Sequence, residues 1–562
     1  MKKILLFTFL LSPLYLIAQS NCSISDEKPI QLLSAEMRRG FPLLKKQKPP
    51  IYYLSYTLKN GKENSIYISN QGERASYIQE FSDLKVMARA GSPQLDNTRT
   101  LKKKQSDFAV SIQDMPQAIS DGKAFTLKVW DATQQAAEQA QRMYGEVQTD
   151  VQTASERGDD SHDFVFPPKE TYCHTQQFTD FNIQRIKERL IKVSALTKGK
   201  AYVLSSSFSF SQEYGHYYFV DSVGTRLKTP FQYVRLSFKV SGRTPEGLSL
   251  SRGRIYDVLE EEKLPTEEQL AEDVKQALEE LEQQIKAPEA EPATVPAILK
   301  NKAMAVFVHE VLGHRVEGHR QKEDSFGKTF TDKVGQMITS PLITIVDDAT
   351  LPFFKGEPLR GFYEYDSEGV KARPVTLVEN GILKNFLMSS SPIKGFAQSN
   401  GHGRAEFEKR PVARMGNTRV IASQTISYEE LEKKLLEEIK KQGKPYGVII
   451  EDLSGGFTIT DTLAPQSFKL EPTYIMRLYP DGRKELVRGV DMVGTPLVSF
   501  KEIIAAADDD AVFNGTCGAE SGWVPVSSIA PSVLLRSLEL EKTQKTNKKL
   551  PILPPPMSEV TK

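Results

Sequence analysis

Residues Ala303 to Arg320 read AMAVFVHEVLGHRVEGHR, a mostly apolar helical stretch that carries His309, Glu310, His314 and His319. The chain has 7 histidines in 562 residues, and at that composition the pattern H-E-x-x-x-H arises by chance in roughly one per cent of sequences. One reading is a core helix with incidental histidines. The other is a metal site, because neutral imidazole binds Zn²⁺ and a carboxylate one residue after the first ligand can orient and deprotonate a metal-bound water. The spacing then sets a condition on the backbone. Histidines four apart lie about 40° from each other around an α-helix, whereas five apart lie about 140° from each other. A regular helix cannot present both rings to one ion. The spacing therefore predicts a local irregularity, either a π-type bulge or a helix that ends near Gly313, the residue least resistant to distortion.

A catalytic zinc takes three protein ligands and keeps a fourth position open. For the third place His319 is near in sequence, while Cys517 stands in the glycine-rich run N-G-T-C-G-A-E-S-G, where a thiolate can approach an ion at about 2.3 Å. Residue chemistry alone leaves these two open.

Upstream of the histidines, Ala287 to Pro296 holds three prolines among alternating Ala and Glu and reads as a linker. Before it, Thr266 and Gln269 have capping-box spacing, and Leu270, Val274, Leu278, Leu281 and Ile285 form one apolar stripe, so a helix is expected there. Ala201 to Ile255 alternates aromatic and β-branched with polar residues, as in an antiparallel meander. Ala132 to Val147 and Asp180 to Val193 read as helices, and Asn60-Gly61 reads as the turn of a hairpin joining Tyr52–Lys59 to Ser65–Ser69. Downstream, Asn380-Gly381 and Asp481-Gly482 mark tight turns, and Ser427 to Lys441 is a capped amphipathic helix. The expected fold class is α+β: a mixed N-terminal domain followed by an antiparallel-sheet-rich C-terminal domain. The expected divisions are a signal peptide over 1–20, an N-terminal α+β domain over 21–195, a strand-rich segment with a helix over 196–290, the C-terminal domain over 291–542, and a disordered Lys- and Pro-rich tail over 543–562.

With 73 Lys plus Arg against 72 Asp plus Glu and 39% hydrophobic residues, the composition excludes a disordered, collagen-like or multi-span membrane protein. Nucleic-acid binding is set aside as well, since Lys102 to Lys104 is the one dense basic run. Lys2 and Lys3 precede the apolar stretch Ile4 to Ile17, followed by small and polar residues, which is the layout of a secretory signal peptide. That stretch is too short to span a membrane. The mature chain is therefore expected outside the cytoplasm, periplasmic or secreted. The 3 cysteines do not make a disulfide scaffold, and a pairing of Cys22 with Cys173 would leave Cys517 free.

From about Ala293 to Glu541 the chain resembles the TldD/PmbA family of metallopeptidases. The resemblance runs in order through HEVLGH and the following V-E-G, G-K-T-F-T-D-K-V-G-Q, I-V-D-D-A-T-L, D-S-E-G-V, L-V-E-N-G-I-L-K, G-H-G-R-A-E, P-V-A-R-M-G-N-T and N-G-T-C-G-A-E-S-G-W-V-P-V-S. It implies a TldD-type subunit in which His309, His314 and Cys517 bind one zinc and Glu310 is catalytic, with His319 not a required ligand. The implied reaction is amide hydrolysis: zinc lowers the pKa of its water and polarises the carbonyl, and Glu310 acts as general base and then as acid. Arg404, Arg414 and Asn417, in the matched G-H-G-R and P-V-A-R-M-G-N-T runs, are candidates to hold substrate, and His402 is a weaker candidate to stabilise an oxyanion. Expected partners are a peptide or unfolded polypeptide, plus a second copy of the chain or a related subunit as homodimer or heterodimer. Competing expectations are a non-catalytic assembly subunit and a zinc amidase acting on cell-wall material.

Overall fold

The computed structural model describes residues 22–69, 72–99, 110–115, 122–153, 159–322, 328–458 and 467–544. The expected signal peptide, the Lys102–Lys104 run and the tail from residue 545 lie outside the described residues.

The N-terminal part is built on one eight-stranded sheet. Its long central strands are Ile51–Ser69, Gly72–Ser92, Ser205–Asp221 and Arg226–Arg243, each antiparallel to its neighbours in this set. Residues alternate faces along a strand, and here the even-numbered positions face the helices. Leu54, Tyr56, Leu58, Leu84 and Val86 pack with Leu33, Phe125 and Val129 from helices Lys28–Leu44 and Gly122–Thr153. Further along, Ile66, Ile68, Phe208, Phe210 and Leu236 pack with Ile186, Leu190, Leu270 and Leu281 from helices Ile183–Ser194 and Glu267–Lys286. Each such fully buried Leu or Ile contributes about 1.5–3 kcal/mol. The odd-numbered face turns toward the C-terminal part.

Two expectations need correction here. Asn60-Gly61 is not a turn: Ile51–Ser69 runs through it as one strand, and the pairing reverses only at Ser69 with Gly72. Gly61 lies opposite both Gly215 and Phe81, and a Cβ on it would stand 2.2 Å from the Tyr214 carbonyl oxygen, so the glycine serves close strand approach. The boundary at 195/196 also falls inside a single sheet, since the meander Ser205–Asp221, Arg226–Arg243 and Ser249–Asp257 pairs directly onto the strands of residues 51–92. The helix at Glu267–Lys286 carries the capping box that Thr266 and Gln269 predict. Cys22 and Cys173 are disulfide-bonded, 5.6 Å apart at Cα, and Cys517 is free and buried.

In the C-terminal part, five strands close into a ring. Gly447–Thr458 pairs Ala293–Leu299, which pairs Val533–Lys542, then Val490–Gly494, then Phe468–Leu478, which returns to Gly447–Thr458. Part of the proline-rich segment read as a linker is thus already a barrel strand. Ring closure removes the sheet's open edges. A second, six-stranded sheet has the order Ile382–Leu383, Val375–Glu379, Ile343–Asp347, Asn417–Ala422, Gly522–Ala530, Ala511–Ala519, antiparallel except for the parallel pair Asn417–Ala422 with Gly522–Ala530. The architecture is α+β and rich in antiparallel sheet. Helix Asn301–Val311 lies between the ring and the second sheet, touching strands of both, and its residues from Ala303 to His309 are all buried. A helix apolar all round belongs in such a place. Among the described residues, no helix is long and apolar enough to cross a membrane.

Candidate metal centre

Helix Asn301–Val311 stops one turn before the second histidine. Leu312 still donates to Val308, but Arg315 donates to Leu312, so the chain tightens into a 3₁₀ turn over Gly313–Val316. Arg315 caps the helix end, giving hydrogen bonds from its guanidinium to the carbonyls of Glu310 at 3.1 Å and Val311 at 3.3 Å. Of the two irregularities the spacing allowed, the structure takes the early helix end, at Gly313. A side chain there would crowd Met415, because a Cβ would stand 2.0 Å from its sulfur.

The consequence is that His314 swings round to face His309. Their ring centroids are 5.1 Å apart, with planes at 85°. Cys517 comes from the other side, on strand Ala511–Ala519 opposite Val524 of the adjoining hairpin strand. Its Sγ lies 3.1 Å from His309 Nε2 and 3.3 Å from His314 Nε2, and all three side chains are buried. Nitrogen and sulfur donors sharing one tetrahedral ion at about 2.0–2.3 Å stand roughly 3.5 Å from each other. The donor set and its spacing fit a zinc-type ion.

Electrostatics point the same way. Burial alone would raise the Cys517 thiol, but His314 and His309 hold it well below its ordinary value, while against the same desolvation the thiolate and Glu317 lift His314 to about 10. His309 is likewise raised by Cys517. The thiolate form that a metal requires is therefore already favoured, and a metal would displace the proton held by His314. Glu310 follows His309 at the helix end and is half-buried. Its charge contributes to the raised proton affinity of His309.

A second ring of residues holds the first. Glu317 is fully buried, and its carboxylate lies 3.3 Å from His314 Nδ1, 2.8 Å from Arg320 Nε and 3.3 Å from Arg414 Nε. Burial would raise Glu317, but His314 and Arg320 outweigh it and hold its carboxyl down to about 2. Arg414, fully buried, donates to the Cys517 carbonyl at 2.8 Å, to Ser521 Oγ at 2.8 Å and to the Gly522 carbonyl at 3.1 Å. Glu317 and Arg414 thus tie the histidine segment to the cysteine hairpin. Such outer partners fix ring orientation.

The family of PmbA/TldA metallopeptidase C-terminal domains matches residues 292–542, the stretch that contains all three donors. Residues 292–542 form a C-terminal domain of the TldD/PmbA family. A metalloprotease of Methanocaldococcus jannaschii is 28% identical over 355 residues, 62% of this chain and 72% of the relative. The zinc metalloprotease TldD homolog of Saccharolobus solfataricus is 25% identical over 307 residues, 54% of this chain and 61% of the relative. Among solved structures, TldE from Thermococcus kodakarensis aligns with a TM-score of 0.59 at 14% identity, over 90% of this chain and all of that one (100%). The chain's C-terminal domain is accordingly of a metallopeptidase-type family.

Within this TldD/PmbA framework, the remaining sequence candidates fall in different places. Arg414 and Asn417 are corrected from substrate-holding to structural positions, since both are fully buried with their donors spent on the protein; Asn417 donates to the carbonyls of Asp348 at 3.1 Å and Leu351 at 2.9 Å. Arg404 is bound to the carbonyls of Met415 and Pro525, stacks 4.8 Å above the Tyr363 ring, and lines a cavity. His402 is also fully buried, with Nε2 3.2 Å from Asp347 and Nδ1 3.1 Å from the Asn400 carbonyl, so it is not placed to stabilise an oxyanion. His319 lies against Glu520, which Arg320 also binds at 2.7 Å. Sequence reasoning assigned no role to Glu317 or Glu520. The signal for Glu317 was its position three residues after His314, the reach of a neighbouring turn.

Proposed function

We propose that this chain is an exported zinc metallopeptidase that hydrolyses peptides or unfolded polypeptides, with Glu310 as general base. The observation that carries the reading is the convergence of two imidazoles and one thiolate, from segments about two hundred residues apart, beside a half-buried glutamate. A zinc ion held by His309, His314 and Cys517 supplies Lewis-acid polarisation of a carbonyl and a more acidic water. Glu310 takes the proton of the attacking water and passes it to the leaving nitrogen. The Cys517 thiolate offsets part of the charge that three neutral histidines would leave. Strand Ala511–Ala519 stands at the end of its sheet, so an extended peptide can add to it as a further strand, reading backbone more than side chains.

Export belongs to the same proposal. Lys2 and Lys3 ahead of an apolar stretch, together with the Cys22–Cys173 disulfide, suit an oxidising compartment outside the cytoplasm. Pairing with a second copy or a related subunit is supported by the fold shared with TldE. The test is to incubate the purified protein and Glu310→Gln with unfolded casein and with peptidoglycan fragments. Casein cleavage that falls about a hundred- to ten-thousand-fold in the variant, with its metal retained, supports the reading. Cleavage of peptidoglycan alone replaces the peptidase by an amidase, and metal binding without either hydrolysis replaces it by a binding subunit.

A further inference from the structure

The odd-numbered face of the N-terminal sheet does not pack tightly on the C-terminal part; between them lies a cavity of about 950 Å³. Its walls include Lys85, Tyr217, Phe231 and Tyr233 from the sheet and Tyr363, Arg404 and Phe407 from the facing loops. Lys85 is only 3% exposed, yet among the described residues it makes no hydrogen bond or ion pair. Its Nζ lies 5.4 Å above the Phe407 ring. Burial pushes its ammonium down to about 8, with Glu368 offsetting a part. Glu368 itself accepts from the Ser390 amide at 2.6 Å. Of the other acids on its walls, Asp257 is bound to Arg235 at 2.8 Å and Arg360 at 3.1 Å, and Glu364 to Tyr172 at 2.7 Å and His174 at 2.9 Å. Asp366 accepts from the amides of Glu368 and Val370 at 2.9 Å and Gly403 at 2.8 Å, while Glu260, Glu262 and Glu357 are solvent-exposed. Arg404 adds a second positive charge, bound to carbonyls rather than to a carboxylate, and it bears electrostatically on the Tyr217, Tyr233 and Tyr363 hydroxyls. The Tyr217 and Tyr233 hydroxyls make no hydrogen bond among the described residues either.

A buried cation normally has a partner, and an unsatisfied one costs several kcal/mol. The cavity is of the size of small-molecule sites, with rings for an apolar body and a few polar groups for orientation. We propose that it binds a small carboxylate with an aromatic or apolar body, the carboxylate anchored on Lys85 and the body on the rings that line the cavity. One unpaired ammonium matches one negative charge, and hydroxyl donors suit its second oxygen. The cavity reaches the hairpin that carries Cys517, since Val524 and Pro525, the strand partners of Cys517 and Thr516, both line it. The inference does not depend on the metal.

The test is calorimetric titration of the full chain with N-acetylphenylalanine, with its uncharged amide, and with a tripeptide ending in phenylalanine with a free carboxyl. The acid binds, and the amide binds about ten- to a hundred-fold more weakly. Lys85→Met weakens the acid by the same factor while leaving the amide unchanged, and Lys85→Arg restores the difference. If the tripeptide binds as well as the small acid, the ligand is a peptide C-terminus; if only the small acid binds, it is a free carboxylic acid. Equal binding of acid and amide, no binding of any carboxylate, or unaltered acid binding in Lys85→Met overturns the proposal. Should Lys85→Met fail to fold, the acid-against-amide comparison on the unaltered chain decides alone.

Discussion

Replacing Glu317 by glutamine removes one charge from the junction of the two metal-binding segments without changing its volume. In the parent, the carboxyl is held from 4.5 down to about 2 by His314, Arg320 and Arg414. At about 1.4 kcal/mol for each tenfold change in proton affinity, this corresponds to about 3 kcal/mol of stability. It agrees with the roughly 3–5 kcal/mol lost when one member of a buried ion network is removed. The sign follows from the lowered value: this stabilisation is complete above about pH 4.5, where the unfolded chain's carboxyl is also ionised, and disappears as pH falls toward 2. Urea unfolding of the chelator-treated protein, repeated between pH 7 and pH 2, reads it directly. Glu317→Gln is expected to be about 3 kcal/mol less stable than the parent at pH 7, with the gap closing toward pH 2. Its zinc affinity is expected to fall about 10- to 100-fold, because His314 loses the partner that orients its ring. Parallel pH profiles with zinc affinity unchanged would refute the idea that Glu317 organises the site.

Gly313→Ala sets a methyl 2.0 Å from the Met415 sulfur; it is expected to cost about 1–3 kcal/mol in thermal or chemical unfolding and to weaken zinc binding by displacing His314. Gly61→Val pushes against the Tyr214 carbonyl, 2.2 Å from the added Cβ, and should lower the unfolding midpoint without touching zinc affinity in the folded fraction. Thr266→Ala removes a cap hydrogen bond of 3.2 Å to the Gln269 amide and is expected to cost about 1 kcal/mol by urea titration, with no change in metal content.

The parts of this fold that were legible in the sequence are those whose cause is local. Thr266 and Gln269, or Ser427 and Glu430, announce their helices because a capping box is completed within four residues. Asn380 and Gly381, with φ of 48° and 82°, announce a turn for the same reason. The H-E-x-x-x-H spacing even required that the helix break, since no regular helix presents both rings to one point. What escaped depends on strands distant in sequence. Gly61 has the residue type of a turn, and only its position opposite Gly215 reveals a close approach. Pro296 looked like a helix breaker in a linker, whereas closure of the five-strand ring makes its segment a strand. Arg414 and Asn417 lie in matched motifs, but a motif does not tell whether an arginine faces a ligand or ties two segments together; here full burial and the 2.8 Å bond to the Cys517 carbonyl decide it. Glu317 was visible as a residue and invisible as a junction, because its partners Arg320 and Arg414 converge only in the folded chain.

The most direct measurement is zinc K-edge X-ray absorption of the purified protein carrying one equivalent of zinc. The account predicts one sulfur neighbour at about 2.3 Å and two imidazole nitrogens at about 2.0–2.1 Å, with the sulfur lost in Cys517→Ser. A spectrum of nitrogen and oxygen neighbours without sulfur, unchanged by that substitution, would contradict it.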